Sequence, residues 1–331
     1  MAQKVVTLGE VLMRLTVPDY KRMFQCVNFD VTFGGSEANV GVSLAHFGLK
    51  NTHITALPTH ALGERVSRFL KLNGVSNKGI VRKEGRLGVY YLESGAMQRP
   101  SRIVYDRFDT TFADLKVEDV DWDAVFKNAD WFHYSGITPA ISQNAADVTL
   151  HALQEAKKRG LTTSGDINYR RNLWQYCKGP LNVMPGLVEL TDVIVGSVHD
   201  LENCLNITGD TWQTACDAVT KKYPSAKVFS KTMRNSMSAS RNELSAVLYK
   251  DGTVYTSRVH EMKNIVDRIG GGDAFMAGLI YGLLNLDNQG AVEFSVAASV
   301  LKHTTVGDTN ISSKEEVEEL VSGNNVGRLL R

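Results

Sequence analysis

Apolar segments with a strand period alternate with segments that have a helix period along most of the chain. Short apolar runs at Lys4–Leu8 and Trp131–Ser135 are typical of buried strands, whereas Glu37–Phe47 and the stretch from Gln143 carry apolar and small residues at helical spacing. The latter helix should end at Lys157–Gly160, where three cations suit the negative end of the helix dipole and glycine suits the position beyond it. This alternation predicts an α/β fold with a mostly parallel sheet covered by helices.

The later segments continue the pattern and predict further strands, helices and a hairpin. The strands are Leu161–Ser164, Val193–Val195 and Lys227–Ser230; the helices are Trp212–Lys222 and Ala274–Leu284; the hairpin joins Ser245–Tyr249 to Thr253–Val259 through Asp251-Gly252. The second of these helices is apolar on most sides, which indicates that it is buried.

Two stretches, Leu12–Phe33 and Leu87–Phe112, interrupt the alternation. They are rich in β-forming and turn residues, have no helical period, and contain strand-like runs at Val89–Leu92 and Arg102–Tyr105. We interpret them as a small β-sheet lid, formed by about residues 12–33 and 87–112, on a single domain that spans residues 1–331. The alternative is two surface hairpins that have no role in closure.

Composition and charge argue against several classes of protein. The 331 residues are 43% apolar and 22% charged, as in globular domains, and no window approaches the ~18 apolar residues that span a bilayer. With 37 basic and 36 acidic side chains, the net charge of +1 gives no electrostatic attraction to nucleic acid or to a membrane surface. The four cysteines form no C-x-x-C pair and no secretory leader is evident, so we expect reduced thiols and a cytoplasmic location.

Three consecutive glycines, Gly270, Gly271 and Gly272, precede Asp273 at the start of the apolar helix. Glycine permits positive φ and a close approach of the backbone to a ligand, and the N–H groups at a helix start attract anions. The pattern therefore predicts a phosphate-binding turn, with Asp273 beside it as the base for an incoming hydroxyl. The helix dipole should keep Asp273 ionised and weakly basic. The alternative is a tight turn in which Asp273 caps the helix.

A second glycine pair, Gly34-Gly35, joins a predicted strand to the helix that contains Asn39. Glycines there would let a small ligand lie against the backbone, and an amide in the first turn suits sugar hydroxyls because it both donates and accepts. The alternative is helix capping by Ser36. No Gly-Lys-Ser/Thr follows the glycines and no G-x-G-x-x-G is present, so neither a P-loop nor a dinucleotide-binding turn is predicted.

Gly34–Asn39 near the start of the chain and Gly270–Asp273 in its last quarter together resemble the two signatures of the PfkB-type (ribokinase-like) carbohydrate kinases. The resemblance covers nearly the whole chain in order and spacing. It implies a three-layer α/β/α body with a β lid over the sugar, ATP across the body with its γ-phosphate at the glycine turn, and Asp273 as catalytic base. It also implies Mg²⁺ on the phosphates, and it leaves open whether a monovalent cation is needed.

Within that family the chain is most similar to the 2-keto-3-deoxygluconate kinases. The resemblance implies ATP-dependent phosphorylation of the terminal (6-) hydroxyl of that sugar acid. The matching stretches are Tyr105-Asp106-Arg107; Asp166–Arg170 with Leu173-Trp174; Asp267–Asp273; and, in the tail, Gly307–Asn310, Ser322–Asn324 and Gly327-Arg328.

A sugar acid carries a carboxylate, which a guanidinium can bind through two hydrogen bonds. Arg107 and Arg170 are therefore candidate ligands for the carboxylate and keto end of the substrate, with Tyr105 contributing its hydroxyl. The predicted sugar site is completed by Gly34, Gly35 and Asn39. The alternative is that Arg170 pairs with Asp166 and that Arg107 is a solvated strand residue.

Several positions depart from the family pattern. Ser197 and Asp200 stand where the family has Asn-x-x-Glu, so we expect Asp200 to bind the metal through water and Ser197 to contact the nucleotide. Lys231 and Thr232 fall where the family contacts nucleotide, as do Gly270 and Gly272 of the glycine turn. Thr110-Thr111 replaces the expected Ser-Ala, a change that touches the lid and could shift the preference for sugar.

Two other functions are compatible with the sequence. One is a kinase for a neutral ketose such as fructose, against which the arginines count. The other is a catalytically silent sugar-acid binding protein, against which the glycine turn and Asp273 count. The exposed edges of a lid sheet tend to pair with a second copy, so we also expect a homo-oligomer built on lid contacts.

Overall fold

The strands form two sheets in the computed structural model, which describes residues 2–177 and 179–323. In chain order they are β1 (Lys4–Leu8), β2 (Leu12–Thr16), β3 (Asp30–Gly34), β4 (Lys50–Pro58), β5 (Val75–Ser76), β6 (Ile80–Lys83), β7 (Val89–Glu93), β8 (Arg102–Asp106), β9 (Trp131–Ser135), β10 (Thr162–Asp166), β11 (Val193–Val195), β12 (Val228–Ser236), β13 (Asn242–Lys250), β14 (Thr253–Thr256) and β15 (His260–Met262).

Helices connect most of the parallel strands of the larger sheet in the described part of the chain. They are α1 (Ser36–His46), α2 (Ala61–Leu72), α3 (Trp122–Phe126), α4 (Gln143–Lys158), α5 (Met184–Val188), α6 (Val198–Leu205), α7 (Trp212–Lys222), α8 (Gly271–Asn285), α9 (Asn288–Lys302) and α10 (Lys314–Ser322). None of these described helices combines the length and the apolar character that crossing a membrane requires.

The larger sheet has the strand order β14-β13-β12-β11-β10-β9-β1-β4-β5, with β6 also paired to β4 and β15 also paired to β13. Every pair from β12 to β5 is parallel, whereas β12, β13 and β14 pair antiparallel. Parallel neighbours need crossover connections, which the helices supply. The predicted α/β fold with a mostly parallel central sheet is confirmed.

Alternate side chains of the parallel strands enter two different apolar cores. Val6 and Phe132 belong to a core shared with α4, α5, α6 and α7, whereas their neighbours Val5 and Trp131 belong to a core shared with α1, α8 and α9. Successive side chains of a strand point to opposite faces, so each face of the sheet is covered by helices. The body therefore has three layers.

Several strands differ in length from their sequence prediction, and β12 and β14 show why. β12 runs well past the predicted end at Ser230, because it pairs antiparallel with β13 along its whole length up to Ser236. β14 stops at Thr256 instead of Val259, because the hydroxyl of Ser257 accepts the Ala246 N–H at 2.9 Å and ends the regular ladder. A partner strand extends β12, and a side chain that binds the partner strand ends β14, so neither boundary follows from the local apolar pattern.

The smaller sheet is built from the two stretches that lack a helical period. Its strand order is β3-β2-β7-β8; β2 and β7 are parallel, and the two outer strands pair antiparallel with their neighbours. It is one sheet and not two separate hairpins. All five residues of β8, an edge strand, are exposed. Closure of this sheet over a ligand, and a single domain over residues 1–331, remain predictions.

Candidate active site

A cavity of about 510 Å³ lies between the carboxyl ends of the parallel strands and the smaller sheet. Residues just beyond β1, β10 and β11 border it, which is the usual place for ligands in open α/β sheets. The predicted site residues that line it are Gly34, Gly35, Asn39, Tyr105, Arg107, Arg170, Ser197, Asp200, Lys231, Thr232, Gly270, Gly272 and Asp273. The remaining one, Gly271, is buried behind the turn.

The glycine turn packs tightly against a later segment of the chain. Gly270 has a φ of +81°, and a Cβ at this position would overlap the main-chain carbonyl oxygen of Asp308. Glycine adopts the positive φ without strain and leaves room for this oxygen, whereas a residue with a Cβ would be strained and would clash with it. Gly271 packs against the ring of His303, while Gly272 is exposed and borders the cavity. The first N–H groups of α8, which have no acceptor inside the helix, therefore lie beside the cavity as candidate phosphate donors.

Asp273 is held by two side chains from α1. Its Oδ1 accepts from Ser36 Oγ at 2.9 Å, and its Oδ2 accepts from Asn39 Nδ2 at 2.7 Å. Burial raises the pKa of Asp273 to about 6, although the hydrogen bonds from Asn39 and Ser36 act to lower it. The expectation of a weak base, drawn from the helix dipole alone, is not met, because burial raises the pKa of Asp273.

Both capping alternatives are also wrong. The N-cap of α8 is Gly270 and that of α1 is Gly35, and neither helix start receives a side-chain cap. Ser36 and Asn39 instead direct their polar groups to Asp273, so the two glycine segments form one site. Asn39 Oδ1 also accepts the Gly35 N–H at 3.3 Å, which fixes the orientation of the amide.

A buried ionic cluster beneath the turn was not predicted. Arg14 of β2 donates to Asp308 Oδ1 at 2.7 Å and to Asp267 Oδ2 at 2.5 Å, and Tyr90 of β7 donates to Asp308 Oδ2 at 2.5 Å. Arg14 is only 1% exposed, so the cluster ties the small sheet firmly to the segments that support the turn. The signal in the sequence was an arginine in an apolar strand, which needs a buried partner.

The tail residues that resemble the family are only partly described by the structure. Gly307–Asn310, Ser322 and Gly323 are described, whereas Asn324, Gly327 and Arg328 lie outside the described residues.

Arg170 and Asp166, which flank the end of β10, do not pair with each other. Arg170 is exposed, donates to the Tyr169 carbonyl at 3.1 Å, and makes no ion pair with Asp166 among the described contacts. Burial, together with the charges of Asp200 and Asp273, raises the pKa of Asp166 to about 8. The alternative of a structural Arg170–Asp166 pair is therefore wrong, and the guanidinium can meet an anion in the cavity.

Arg107 lies just beyond β8 and is paired with Glu10. Its Nε and Nη2 both donate to Glu10 Oε2, at 3.0 and 2.6 Å, and Thr110 Oγ1 donates to Glu10 Oε1 at 2.6 Å. Arg107 is 7% exposed, so the alternative of a solvated strand residue is wrong. Tyr105, whose ring lies 5.8 Å from the guanidinium, is half exposed at the same wall. Glu10 is a cavity residue that the sequence prediction missed.

Ser197 and Asp200 form a capping box at the start of α6. Ser197 N and Oγ donate to Asp200 Oδ2 at 2.8 and 2.6 Å, and the Tyr169 N–H donates to Oδ1 at 3.2 Å. Asp200 thus fixes a helix start while it borders the cavity. Nearby in the lining, Lys231 of β12 holds its ammonium 5.0 Å from the centre of the Trp212 ring.

The acidic residues of the cavity suit a hydrated divalent cation. No group of three His, Cys, Asp or Glu side chains in the described ranges could hold a metal ion directly. Asp166 and Asp200 nevertheless line one cavity, and their repulsion contributes to the raised pKa of Asp166. Mg²⁺ usually binds through one or two carboxylates, waters and substrate phosphates, so this donor set fits it.

Comparisons with known proteins agree with this geometry. A family model described as pfkB family carbohydrate kinase matches residues 2–315. A 2-dehydro-3-deoxygalactonokinase from Haloferax volcanii is 30% identical over 328 residues, which are 99% of each chain. A crystal structure of 2-dehydro-3-deoxygluconokinase from Thermotoga maritima is 41% identical with a TM-score of 0.92 and covers 98% of this chain and 99% of its own. A fructokinase with bound ATP from Xylella fastidiosa, 21% identical over 98% of this chain and 99% of its own, shares the fold with a TM-score of 0.78.

Proposed function

Since the chain belongs to the pfkB family of carbohydrate kinases, we propose that it transfers the γ-phosphoryl group of ATP to the terminal (6-) hydroxyl of 2-keto-3-deoxygluconate. The product is 2-keto-3-deoxy-6-phosphogluconate. The observation that carries the proposal is that one cavity contains a glycine turn at a helix start, a carboxylate beside it and an exposed guanidinium: Gly270–Gly272, Asp273 and Arg170.

Asp273 is the proposed base for the hydroxyl proton. With a pKa of about 6 it is mostly ionised at pH 7, yet more basic than an ordinary aspartate at about 3.9. Ser36 and Asn39 each bind one of its oxygens, so the carboxylate is fixed while part of the side chain stays open to the cavity. In a loose phosphoryl-transfer transition state, this positioning contributes more than base strength.

The glycine turn is the proposed site of the transferred phosphoryl group. N–H groups at a helix start donate to phosphate oxygens, and fixed donors stabilise the charge that develops during transfer. Lys231 and Thr232 border the same cavity and are the proposed contacts to the rest of ATP, with Ser197. The fructokinase that shares this fold binds ATP, which supports the same nucleotide here.

Asp166 and Asp200 would hold Mg²⁺, with Asp200 acting through water because protein donors already bind both of its oxygens. When bound, Mg²⁺ neutralises phosphate charge. The residues of the chain supply the rest: they bind the nucleotide, orient the hydroxyl and accept its proton.

Arg170 is the proposed ligand of the substrate carboxylate. It lines the cavity with an exposed guanidinium, whereas the charge of Arg107 is already balanced by Glu10. We therefore assign the Arg107–Glu10 pair and the Tyr105 hydroxyl to the keto end and hydroxyls of the sugar. These sugar groups are uncharged, so hydrogen-bond donors and acceptors without a net charge can bind them. A kinase for a neutral ketose would have no use for the charge of Arg170.

The relatives support a 2-dehydro-3-deoxy sugar acid as substrate, but their names differ in the configuration at C4. The gluco form is proposed here because the relative with that name is 41% identical, whereas the galacto relative is 30% identical. The cytoplasm is the proposed location, and the four cysteines, all free in the structure, suit a reducing compartment.

A substrate panel at saturating Mg-ATP tests the proposal through the rate of ADP release. We expect the highest kcat/KM with 2-keto-3-deoxygluconate, a lower value with its C4 epimer, and little turnover of fructose. A higher kcat/KM with the C4 epimer would show that the substrate is 2-keto-3-deoxygalactonate instead of 2-keto-3-deoxygluconate. Fructose as the best substrate would overturn the sugar-acid assignment, and tight sugar-acid binding without any ADP would identify a silent binding protein.

A further inference from the structure

A lysine that does not line the cavity is buried beneath the glycine turn. Lys302, the last residue of α9, is 0% exposed. Its Nζ donates to the main-chain carbonyl oxygens of Asp267 and Thr305, both at 3.3 Å, and no carboxylate forms an ion pair with it among the described residues. Burying a cation is costly unless polar groups replace its water, and here carbonyl oxygens do so.

The two carbonyls belong to the two segments that build the turn. Asp267 shortly precedes Gly270, and Thr305 shortly precedes Asp308, whose carbonyl oxygen packs against the Cα of Gly270. The segments meet again where the Gly307 N–H donates to Asp267 Oδ2 at 3.1 Å. Lys302 therefore bridges the two segments at the point where the close glycine contact depends on their spacing.

Two buried cations, one from each part of the fold, hold these segments. Arg14 comes from the small sheet and binds the side chains of Asp267 and Asp308, whereas Lys302 comes from the body and binds main-chain oxygens. Inward-pointing carbonyl dipoles repel one another unless a positive charge lies between them. A lysine ammonium is a compact point charge with three donors, which suits such a place better than a planar guanidinium.

We propose that Lys302 is a positioning residue: a cation supplied by the chain itself, which holds the Asp267–Gly272 segment against Thr305–Asp308 and so fixes the phosphate-binding N–H groups. Turnover then needs no inorganic monovalent cation, because the ammonium already occupies the place between the carbonyls. This inference rests on the phosphate-binding role proposed above for the turn.

Two substitutions of Lys302 separate its charge from its volume. Lys302→Met fills the space without charge, whereas Lys302→Ala leaves a cavity that can admit a small cation. We expect kcat to fall about 10²-fold in both, the loss that a misplacement of about 1 Å produces, with the KM for the sugar acid little changed. Adding ammonium, methylammonium or potassium chloride should raise the kcat of Lys302→Ala at least about tenfold and should leave the kcat of Lys302→Met unchanged.

The controls are a bulky cation and a matched lysine. Tetramethylammonium chloride at the same ionic strength should rescue neither variant. Lys221→Met removes an exposed lysine from the last turn of α7 and should keep the wild-type kcat. A wild-type kcat in Lys302→Met would overturn the proposal. A folded Lys302→Ala variant whose kcat no small cation restores would overturn it too.

The wild-type enzyme decides the question even if neither variant folds. After exchange into tetramethylammonium buffer free of alkali-metal and ammonium ions, we expect full kcat and less than about a twofold change on adding K⁺. A wild-type enzyme that requires K⁺ would refute the role of Lys302. Absence of turnover with every sugar under all salts would instead refute the proposed function, so the two failures are distinguishable.

Discussion

At the scale of single residues, the site depends on how one carboxylate is held. Asp273 has hydrogen bonds to both oxygens from α1, although it belongs to α8. Its position is therefore fixed by two helices that start at the same cavity. Burial gives it a pKa of about 6, which keeps it ionised at neutral pH and able to accept a proton.

Replacing Asp273 with Asn should lower kcat by about 10²–10⁴-fold, the usual contribution of a general base, while the Kd of the sugar acid stays nearly unchanged. Steady-state kinetics and calorimetry measure the two quantities. Ser36→Ala, which removes one hydrogen bond to the carboxylate, should cost less than about tenfold. An Asp273→Asn enzyme whose kcat is within tenfold of the wild-type value would exclude Asp273 as the base.

The pH profile of the wild type tests the same residue. The value of kcat/KM should fall about tenfold per pH unit below about pH 6, where Asp273 becomes protonated.

Arg170 is expected to determine the preference for an acidic sugar. Arg170→Ala should raise the KM for the sugar acid by about 10²-fold, since charge-assisted hydrogen bonds contribute roughly 1.5–3 kcal/mol each, but should leave the KM for a neutral ketose almost unchanged. The neighbouring Arg171 is exposed and does not line the cavity, so Arg171→Ala is a matched control. Equal effects of Arg170→Ala on acidic and neutral sugars would contradict the assignment.

Asp166 should make the folded protein less stable at high pH. Its pKa is about 8 in the folded state and about 3.9 when unfolded, so the folded state binds the proton more tightly and this stability is lost as pH rises towards 8. Asp166→Asn should therefore raise Tm at pH 8 by at least about 2 °C and change it little at pH 4. Thermal unfolding across this pH range measures the difference.

The matched experiment for Asp166 adds Mg²⁺. The metal together with ATP should stabilise the wild type more than Asp166→Asn, because the substitution removes one carboxylate from the proposed metal site. An Asp166→Asn protein less stable than the wild type at pH 8 would show that the carboxylate is not strained by its acidic neighbours.

At the scale of elements, local signals were sufficient for the starts of two predicted helices but not for the ends of two predicted strands. The starts of α4 and α7 were predictable because Ser142 and Thr211 accept N–H groups three residues later, at 3.1 and 3.2 Å, as capping residues do. The full length of β12 was not predictable, since its second half is exposed and exists through pairing with β13. Boundaries set by a neighbouring strand leave little trace in the local sequence.

The edge strand β8 is expected to join two copies of the chain. It ends the small sheet, and Val104, which is 57% exposed, does not line the cavity. Light scattering at micromolar concentration should give a mass above that of the monomer. Val104→Lys should lower that mass, because a charged residue on an edge opposes strand pairing, and should leave the kcat of the dissociated enzyme within an order of magnitude. A monomeric wild type would refute lid-mediated assembly.

At the scale of the whole molecule, contacts between distant segments complete the site. The sequence was sufficient to predict the two glycine segments and Asp273, because each carries a local pattern that glycine and helix starts explain. It was not sufficient to predict that Arg14 binds Asp308, 294 residues later, or that Arg107 binds Glu10, 97 residues earlier. Such partners become visible only when the small sheet is folded against the body.

The most direct measurement is a crystal structure of the Asp273→Asn protein with ATP, Mg²⁺ and 2-keto-3-deoxygluconate. We expect the γ-phosphate within hydrogen-bond distance of the N–H groups of Gly270–Gly272, and the 6-hydroxyl between that phosphate and the side chain at position 273. A γ-phosphate bound elsewhere in the cavity, out of reach of those N–H groups, would refute the proposed role of the glycine turn.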